Sequence, residues 1–269
     1  MKIKELIKFI REKYNFTLYD IKTLIKQNLN VDSAYLIIHE DDEINEEEIL
    51  EMCEQIKKGK PLQYVTHIQE FYGLNFYVDE NVLIPQPDTE ILVDEAINKM
   101  NKEKNNLKVL DLCTGSGAIA ISIKNELKEK VEVVASDISE KAIEVAKKNA
   151  KKIVGENGIR FVKSDMFNQI SEEKFDYILS NPPYIRTDVI KKLDIDVQNE
   201  PHLALDGGKD GLEFYRIIRK NIDKYLKKNG TLMMEIGYDQ KDDLLELFEG
   251  AECIKDFAEN DRVIVYKNV

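Results

Sequence analysis

The fold is decided by the stretch Val109-Leu110-Asp111-Leu112-Cys113-Thr114-Gly115-Ser116-Gly117-Ala118. Its first four residues are typical of a buried strand, and its glycine loop leads into a helix that we predict from about residue 118. Further strands are predicted at 131–136, 159–162, 175–180, 231–236 and 263–266, with helical stretches between most of them. This alternation indicates an α/β fold with parallel strands and helices on both faces of the sheet.

The region before this domain divides into two parts. Residues 1 to about 67 predict a small helical bundle, because apolar residues recur at helical spacing, as at Ile3, Leu6 and Ile10. Asn45 is a predicted N-cap of one of its helices. Aromatic residues around a Gly and an Asn predict a β-hairpin within residues 68–87, and two prolines end that segment. Asp88 is predicted to cap the helix that opens the α/β domain, residues 88–269.

Composition restricts the function classes. The chain has 269 residues, is 43% hydrophobic and carries a formal net charge of -12, so it can bury a large core and is poorly suited to binding nucleic acid through phosphates. Its cysteines and histidines are scattered, which predicts reduced thiols and no metal site (Cys53, Cys113, Cys253, His39, His67, His202). With no signal peptide or membrane-length apolar run, we expect a cytoplasmic protein.

The glycine loop predicts a ligand site at the end of the first strand. Ligands of open α/β sheets bind at the carboxyl ends of the strands, and Gly115 and Gly117 allow close approach to the backbone. The loop lacks the third glycine of the dinucleotide fingerprint and the lysine of a P-loop, which disfavours NAD and nucleoside triphosphates. Asp111 brings a carboxylate near the ligand, which suits a cation such as an ammonium or a sulfonium.

Carboxylates also follow the next two strands. Asp137 is positioned to accept hydrogen bonds from a ribose diol, and Asp165 could accept from the exocyclic amine of an adenine. Met166 or Phe167 could cover the adenine ring. These residues together predict S-adenosylmethionine as the cofactor. The alternatives are a helix cap for Asp137 and a cap or turn role for Asp111.

The segment Asn181-Pro182-Pro183-Tyr184 follows the predicted strand at 175–180. Proline has no N–H, so the Asn181 side-chain oxygen and nearby backbone carbonyls form a cluster of hydrogen-bond acceptors. Such a cluster suits a planar NH2 group, and Tyr184 offers an aromatic face for it. The alternative is a tight turn, since Asn and Pro are ordinary turn residues.

These motifs together resemble class I S-adenosylmethionine-dependent methyltransferases that modify amino groups. Three further features narrow the resemblance to the release-factor glutamine methyltransferase family: the helical N-terminal domain, Glu200-Pro201 followed by Ala204-Leu205, and the segment Ile84-Pro85-Gln86-Pro87-Asp88-Thr89-Glu90. The resemblance implies a Rossmann-like methyltransferase domain with a seven-stranded, mostly parallel sheet, joined by a β-hairpin linker to the N-terminal bundle. It also implies methyl transfer to the side-chain amide nitrogen (N5) of the glutamine in the Gly-Gly-Gln motif of class 1 peptide chain release factors, leaving S-adenosylhomocysteine.

The resemblance also implies roles for individual residues. The residues that would line the methionine part of the cofactor are Cys113, Thr114, Gly115, Ser116 and Gly117. Asp137 would hold the ribose, Met166 would lie against the adenine, and Asn181 would contact both cofactor and substrate. The glutamine pocket would be formed by Pro182, Pro183 and Tyr184. The chain departs from the commoner family pattern at Gln86 (usually Arg), Cys113 (usually Gly) and Met166 (Trp in some members).

In the mechanism that we expect, the Asn181 oxygen and the Pro182 carbonyl accept from the two N–H groups of the target amide, while Tyr184 packs on its plane. No metal is needed. A DNA adenine methyltransferase is the first alternative and would need a flipped base; the acidic balance disfavours it. A non-catalytic S-adenosylmethionine-binding accessory protein is the second, and the intact acceptor cluster disfavours it.

The organisation of the chain predicts its partners. We expect residues 1–67 to dock the release factor, because one exposed glutamine offers little specificity. We expect a monomer that binds neither nucleic acid nor membranes. Residues 191–205 show no clear pattern, and we expect them to form a mobile loop over the site.

Overall fold

In the computed structural model, which describes residues 1–269, contacts divide the chain into two compact units. The first comprises Met1–Ile68 together with Asp194–Asn199, and the second comprises Gln69–Leu193 together with Glu200–Val269. None of the helices combines the length and the apolar character that a membrane span requires.

The helices are, in chain order, α1 (Ile3–Tyr14), α2 (Leu18–Leu29), α3 (Ser33–Ile38), α4 (Glu47–Lys57), α5 (Leu62–Thr66), α6 (Pro87–Lys102), α7 (Ala118–Leu127), α8 (Glu140–Ile153), α9 (Thr187–Ile190), α10 (Ile195–Gln198), α11 (His202–Leu205), α12 (Glu213–Tyr225) and α13 (Lys241–Leu247). The strands are β1 (Gln69–Phe71), β2 (Leu74–Phe76), β3 (Leu107–Leu112), β4 (Val131–Asp137), β5 (Ile159–Lys163), β6 (Phe175–Ser180), β7 (Leu226–Glu235), β8 (Glu252–Lys255) and β9 (Asp261–Lys267).

The first unit is helical and has its own apolar core. The predicted apolar faces are confirmed, since the side chains of Ile3, Leu6 and Ile10 are fully buried. α2 begins with a capping box, in which Thr17 Oγ1 accepts a hydrogen bond from the Asp20 N–H. α4 begins two residues after the predicted cap Asn45, whose side-chain oxygen nevertheless accepts from the Glu47 N–H at 3.2 Å.

The second unit is built on a seven-stranded sheet in the order β5-β4-β3-β6-β7-β9-β8, with a separate antiparallel hairpin of β1 and β2. β5, β4, β3, β6 and β7 are parallel to their neighbours in this order, and β9 runs antiparallel to both β7 and β8. The predicted α/β class and mostly parallel sheet are confirmed. The strand order reverses between β3 and β6, and at such a switch point the loops diverge and leave a crevice for ligands.

Two details of the predicted elements are wrong. Asp88 does not cap α6, because the helix already begins at Pro87, whose fixed φ suits the first helical position. The Asp88 carboxylate instead pairs with Arg262, 3.1 Å away. The segment 191–205, which we predicted as a loop, contains the helices α10 and α11. Each has four residues, which is too short to produce a visible apolar period in the sequence.

Candidate active site

The second unit contains a cavity of about 400 Å³ at the carboxyl ends of β3, β4 and β6, large enough for a nucleoside-sized ligand. It is lined by these sequence-predicted site residues: Cys113, Thr114, Gly115, Ser116, Asp137, Asp165, Met166, Asn181 and Pro183. Five other predicted residues are adjacent to this lining in the chain but do not belong to it: Asp111, Gly117, Phe167, Pro182 and Tyr184.

The glycine loop between β3 and α7 is fixed by a hydrogen bond to Asp137. Gly115 has a φ of 55°, and a Cβ built there would meet no protein atom within 4 Å. The Gly115 N–H donates to Asp137 Oδ2 at 2.9 Å, which ties the loop to the end of β4. The Ser116 N–H donates no hydrogen bond within the protein, so it is available, with the N-terminus of α7, to an anionic group such as a carboxylate.

Asp137 is the polar centre of the cavity. Its second oxygen, Oδ1, accepts from the Ser139 N–H at 2.9 Å, so both oxygens are oriented by backbone donors while each keeps a free lone pair. Burial raises the pKa of this carboxyl group, and the backbone donors partly offset that effect. Asp137 is not the N-cap of α8, because that position is held by Ser139, whose side chain accepts from the Ala142 N–H. Asp137 lines the cavity, and its contact with a ribose stays a prediction.

Asp111 lies behind the glycine loop and not in the cavity. Its side chain is fully buried, and Oδ2 accepts from Thr114 Oγ1 at 2.5 Å and from the Ala120 N–H at 3.1 Å. Oδ1 is buried without a partner. Burial raises the pKa of Asp111 to about 7. Asp111 therefore stabilises the glycine loop through hydrogen bonds within the protein. It does not line the cavity.

Two of the three residues that depart from the commoner family pattern, Cys113 after β3 and Met166 after β5, lie in contact. Cys113 and Met166 both have a positive φ, 61° and 48°, and their sulfur atoms are 3.7 Å apart. Burial raises the pKa of the Cys113 thiol, so it is neutral at pH 7. Two polarizable sulfur atoms therefore contribute apolar surface at these two positions.

The residues around Met166 divide between cavity and core. Asp165 lines the cavity and accepts from Asn168 Nδ2 at 3.3 Å. Phe167 is turned away, because its ring stacks on Tyr225 at 4.7 Å between centroids and is 3% exposed. The prediction that Phe167 could cover the adenine is not supported by this position, which leaves Met166 for that contact.

Asn181 is anchored by its amide nitrogen. Nδ2 donates to Thr89 Oγ1 at 3.1 Å, and the Thr89 hydroxyl donates to Glu235 Oε2 at 2.5 Å. No group of the protein donates to Asn181 Oδ1, nor to the backbone carbonyls of Pro182 and Pro183. No protein donor therefore occupies these predicted acceptors. Asn181 and Pro183 line the cavity and Pro182 does not, so the grouping of the acceptors around one NH2 group stays a prediction.

Tyr184 has a different position from the one predicted. Its hydroxyl group donates to Glu235 Oε1 at 3.2 Å, and its partly buried ring packs against the core cluster that includes Tyr215. Burial raises the pKa of the Tyr184 phenol. Its carbonyl accepts from Gln240 Nε2 at 3.0 Å. Tyr184 thus anchors the loop that follows β6 through its bonds to Glu235 and Gln240. Asn181 and Pro183 are the residues of this loop that line the cavity.

Several supporting residues were not predicted from the sequence. Thr89 and Glu235 hold Asn181, Gln240 holds the Tyr184 carbonyl, and Asn149 joins the glycine loop to the hairpin segment by donating to the Ser116 and Tyr77 carbonyls. Glu200 accepts from the Ile84 N–H at 2.8 Å. Thr89 and Glu200 lie in segments that carry the family resemblance, and Glu235 is visible as a lone charge that ends the apolar strand run Leu232-Met233-Met234. Gln240 and Asn149 have no such signal.

The cavity fits S-adenosylmethionine by its donor set. A carboxylate faces it for ribose hydroxyl groups, free N–H groups suit an amino-acid carboxylate, and Ile138 and Met166 offer apolar surface for a planar base. No lysine or arginine lines it, so its charge suits a sulfonium and not a triphosphate.

Two family models match the chain. The model described as "Methyltransferase small domain" matches residues 88–198, and the one described as "PrmC N-terminal domain" matches residues 3–66. The chain is similar to proteins named release factor glutamine methyltransferase from Clostridium acetobutylicum, with 42% identity over 93% of this chain and 91% of that protein, and from Thermodesulfovibrio yellowstonii, with 38% identity over 98% of both.

Other matches are longer or more distant. The chain is 36% identical to a bifunctional methyltransferase from Rickettsia felis and spans 54% of its length. Among solved structures, a methyltransferase from Pyrococcus furiosus matches 80% of this chain and 96% of its own, with a TM-score of 0.54 and 17% identity. At that identity the match shows a shared fold.

Proposed function

The chain belongs to the release factor glutamine methyltransferase family, and from this we propose that it transfers methyl from S-adenosylmethionine to the N5 amide nitrogen of the glutamine in the Gly-Gly-Gln motif of class 1 peptide chain release factors. The observation that carries the proposal is that no protein group donates to Asn181 Oδ1, at a residue that lines the cavity one strand away from the glycine loop, or to the carbonyl of the next residue, Pro182. Such a site recognises an NH2 group by its two donors.

The protein's part in the reaction is positioning and electrostatic stabilisation. The cofactor supplies a methyl group on a positively charged sulfur. The lone pair of an amide nitrogen is delocalised into its carbonyl, so the nitrogen is a weak nucleophile. Asn181 Oδ1 and the Pro182 carbonyl accept its two N–H bonds, aim the nitrogen and stabilise the positive charge that develops on it. The proton then leaves to water.

Roles are proposed for the whole predicted site. The residues proposed to bind the cofactor are Cys113, Thr114, Gly115, Ser116, Gly117, Asp137, Asp165, Met166 and Asn181. Asp111 and Phe167, which we predicted as cofactor contacts, are proposed to support that site from behind. Asn181 and Pro182 act on the amide, Pro183 completes the glutamine pocket, and Tyr184 supports it through its bond to Glu235.

The remaining proposals concern organisation. We divide the chain into a docking bundle (1–67), a hairpin linker (68–87) and the methyltransferase domain (88–269). Residues 1–67 dock the release factor, because the amide pocket can recognise only one side chain. The enzyme acts in the cytoplasm as a monomer in translation termination, and its charge of -12 does not favour nucleic acid as a direct ligand.

The test is methyl transfer from labelled S-adenosylmethionine to a purified class 1 release factor. A factor with its Gly-Gly-Gln glutamine changed to alanine is the control. Label in the unchanged factor alone supports the proposal. Label in DNA with none in the release factor, or binding of the cofactor with no labelled product, contradicts it.

The role of Asn181 has its own prediction. Asn181→Ala removes the oriented acceptor, and we expect turnover to fall by at least about a hundredfold, as for the loss of one oriented hydrogen-bonding group at a reacting centre. The thermal midpoint should stay close to the wild-type value, and the variant should still bind the cofactor, with a loss of affinity in calorimetry much smaller than the loss of turnover. Turnover near the wild-type rate would contradict the role.

A further inference from the structure

Three side chains from distant parts of the chain form one hydrogen-bond chain, in which Thr89 and Glu235 are buried and Asn181 is half-buried. Asn181 Nδ2 donates to Thr89 Oγ1 at 3.1 Å, and Thr89 Oγ1 lies 2.5 Å from Glu235 Oε2. Thr89 is 4% exposed and Glu235 is 1% exposed, so the bond between them is shielded from water, while the bond from Asn181 to Thr89 lies at the wall of the cavity. The hydrogen bond between Thr89 and Glu235 is short, as is typical when the acceptor is a carboxylate.

The direction of each bond follows from the number of protons. A hydroxyl group has one proton, and an ionised carboxylate can only accept. Thr89 therefore gives its proton to Glu235, and its oxygen can only accept from Asn181. This orients the Asn181 NH2 group toward Thr89 and leaves Oδ1 on the opposite side of the amide.

From this arrangement, and resting on the proposed function, we infer that Thr89 and Glu235 are positioning residues that hold Asn181 as an acceptor and thereby make the pocket select the amide of glutamine over the carboxylate of glutamate. A glutamine side chain presents two N–H donors to Asn181 Oδ1 and the Pro182 carbonyl. A glutamate carboxylate presents only lone pairs to the same acceptors. If Asn181 were reversed, its NH2 group would face the pocket and would stabilise glutamate.

Glu235 works in this way only while it is ionised. Burial raises its pKa to about 7, and the opposing influences are the Thr89 hydroxyl group, the Arg262 guanidinium and the Tyr184 hydroxyl group, while the Asp88 carboxylate adds to the rise. These groups come from α6, from β9 and from the loop after β6. From α12, the neutral Tyr215 hydroxyl group donates to the Glu235 carbonyl.

Protonation of Glu235 would remove the constraint. A carboxylic acid can donate its own proton to Thr89, after which the Thr89 proton is free to bond Asn181 Oδ1 and the amide can reverse. Discrimination between glutamine and glutamate should therefore weaken as the pH falls through about 7.

The decisive variants are Thr89→Val, which keeps the shape of the side chain without the hydroxyl group, and Thr89→Ser, which restores it. Thr231→Val is the matched control, because it makes the same change at a buried position on β7, at 9% exposure, outside the hydrogen-bond chain. Peptides containing Gly-Gly-Gln and Gly-Gly-Glu are titrated into the full-length protein by calorimetry in the presence of S-adenosylhomocysteine.

We expect the wild-type protein to prefer the glutamine peptide and Thr89→Val to reduce that preference by roughly tenfold or more, as for one hydrogen bond to a charged group. Thr89→Ser and Thr231→Val should keep the preference. An unchanged preference in Thr89→Val overturns the inference, and so does an equal loss in Thr231→Val. In Glu235→Gln, which cannot ionise, the ratio of affinities for the two peptides should stay constant between pH 6 and pH 8. If that ratio changed with pH as it does in the wild type, the inference would also be overturned.

A second readout separates this inference from the proposed function. If the wild-type protein binds neither peptide and methylates no release factor, the proposed function fails and the orientation of Asn181 can still be measured. The side-chain NH2 signals of Asn181 in NMR spectra should show slow hydrogen exchange in the wild type and fast exchange in Thr89→Val. Equal exchange in both proteins would show that Thr89 does not hold Asn181.

Discussion

Asp111 and Glu235 are two carboxyl groups fully enclosed in the α/β unit, and burial raises the pKa of each to about 7. Each group binds its proton more tightly in the folded protein than in the unfolded chain. At these two positions the folded state therefore holds more protons than the unfolded state between about pH 4 and pH 7. By linkage, the contribution of these two groups to the free energy of unfolding falls as the pH rises through this window.

Asp111 allows this to be tested with a single change. In Asp111→Asn the amide oxygen can still accept from Thr114 and Ala120, and the NH2 group takes the place of the unpartnered oxygen. We expect the decline of stability between pH 5 and pH 7, measured by urea denaturation, to become shallower by up to about 1.4 kcal/mol per pH unit. Glu252→Gln at an exposed carboxylate is the control, and equal slopes in all three proteins would contradict the prediction.

For single residues, the sequence predicts the position of those that belong to a local motif. The glycine loop and Asn181 follow strands directly, so their place at the sheet edge can be read from the chain. Thr89 and Glu235 are 146 residues apart and meet only through the fold, and no local pattern reveals that contact. The core position of Phe167 and the packing of the partly buried Tyr184 against the core were missed, because an aromatic ring after a strand can turn either way.

At the scale of elements, the loop from residue 206 to residue 212 supports the loop after β6, which carries Asn181 and Tyr184. Gly211 has a φ of 77°, and a Cβ there would clash with the Tyr184 carbonyl oxygen and lie 2.7 Å from Gln240 Nε2. Gln240 Nε2 bridges the carbonyls of Tyr184 and Gly211, at 3.0 and 3.1 Å. The missing side chain at Gly211 therefore permits the contact that holds the loop after β6.

Gly211→Ala should displace that contact. We expect a loss of about 1–3 kcal/mol in the free energy of unfolding and a larger loss in turnover than in cofactor affinity, because Asn181 moves with its loop. Gly250→Ala is the matched control, since its φ is 83° but a Cβ there meets no atom within 4 Å. If both variants lost turnover equally, backbone strain alone would explain the effect.

The elements themselves were predictable where burial gives a clear pattern. The parallel strands are apolar runs because helices cover both faces, and β6 has the predicted bounds of 175–180. β8 escaped prediction because Glu252-Cys253-Ile254-Lys255 is a short edge strand with no buried residue. The short helices between residues 191 and 205 escaped because four residues complete barely one helical turn.

At the scale of the whole molecule, the first unit carries apolar surface without a folding role. Tyr19, Ile37 and Ile38 are 71%, 68% and 74% exposed, while the helices that carry them pack into the bundle core with other residues. A release factor docked by residues 1–67, as we propose, could bury these side chains. The docking role can be tested by point substitution, which keeps the bundle and the contacts of Asp194–Asn199 within that unit intact.

The triple variant Tyr19→Ser, Ile37→Ser, Ile38→Ser should raise the KM for intact release factor by roughly tenfold or more, since each large apolar side chain contributes about 1 kcal/mol when it is buried at an interface. Turnover at saturation and the rate with a short Gly-Gly-Gln peptide should not change, because the peptide reaches only the amide pocket. Phe257→Ser, at a fully exposed phenylalanine of the second unit, is the control and should leave the KM unchanged. An unchanged KM in the triple variant would place docking outside these side chains. A rise for the short peptide as well would instead mean that the substitutions act on the pocket, so the two substrates together decide whether the bundle recognises the body of the release factor.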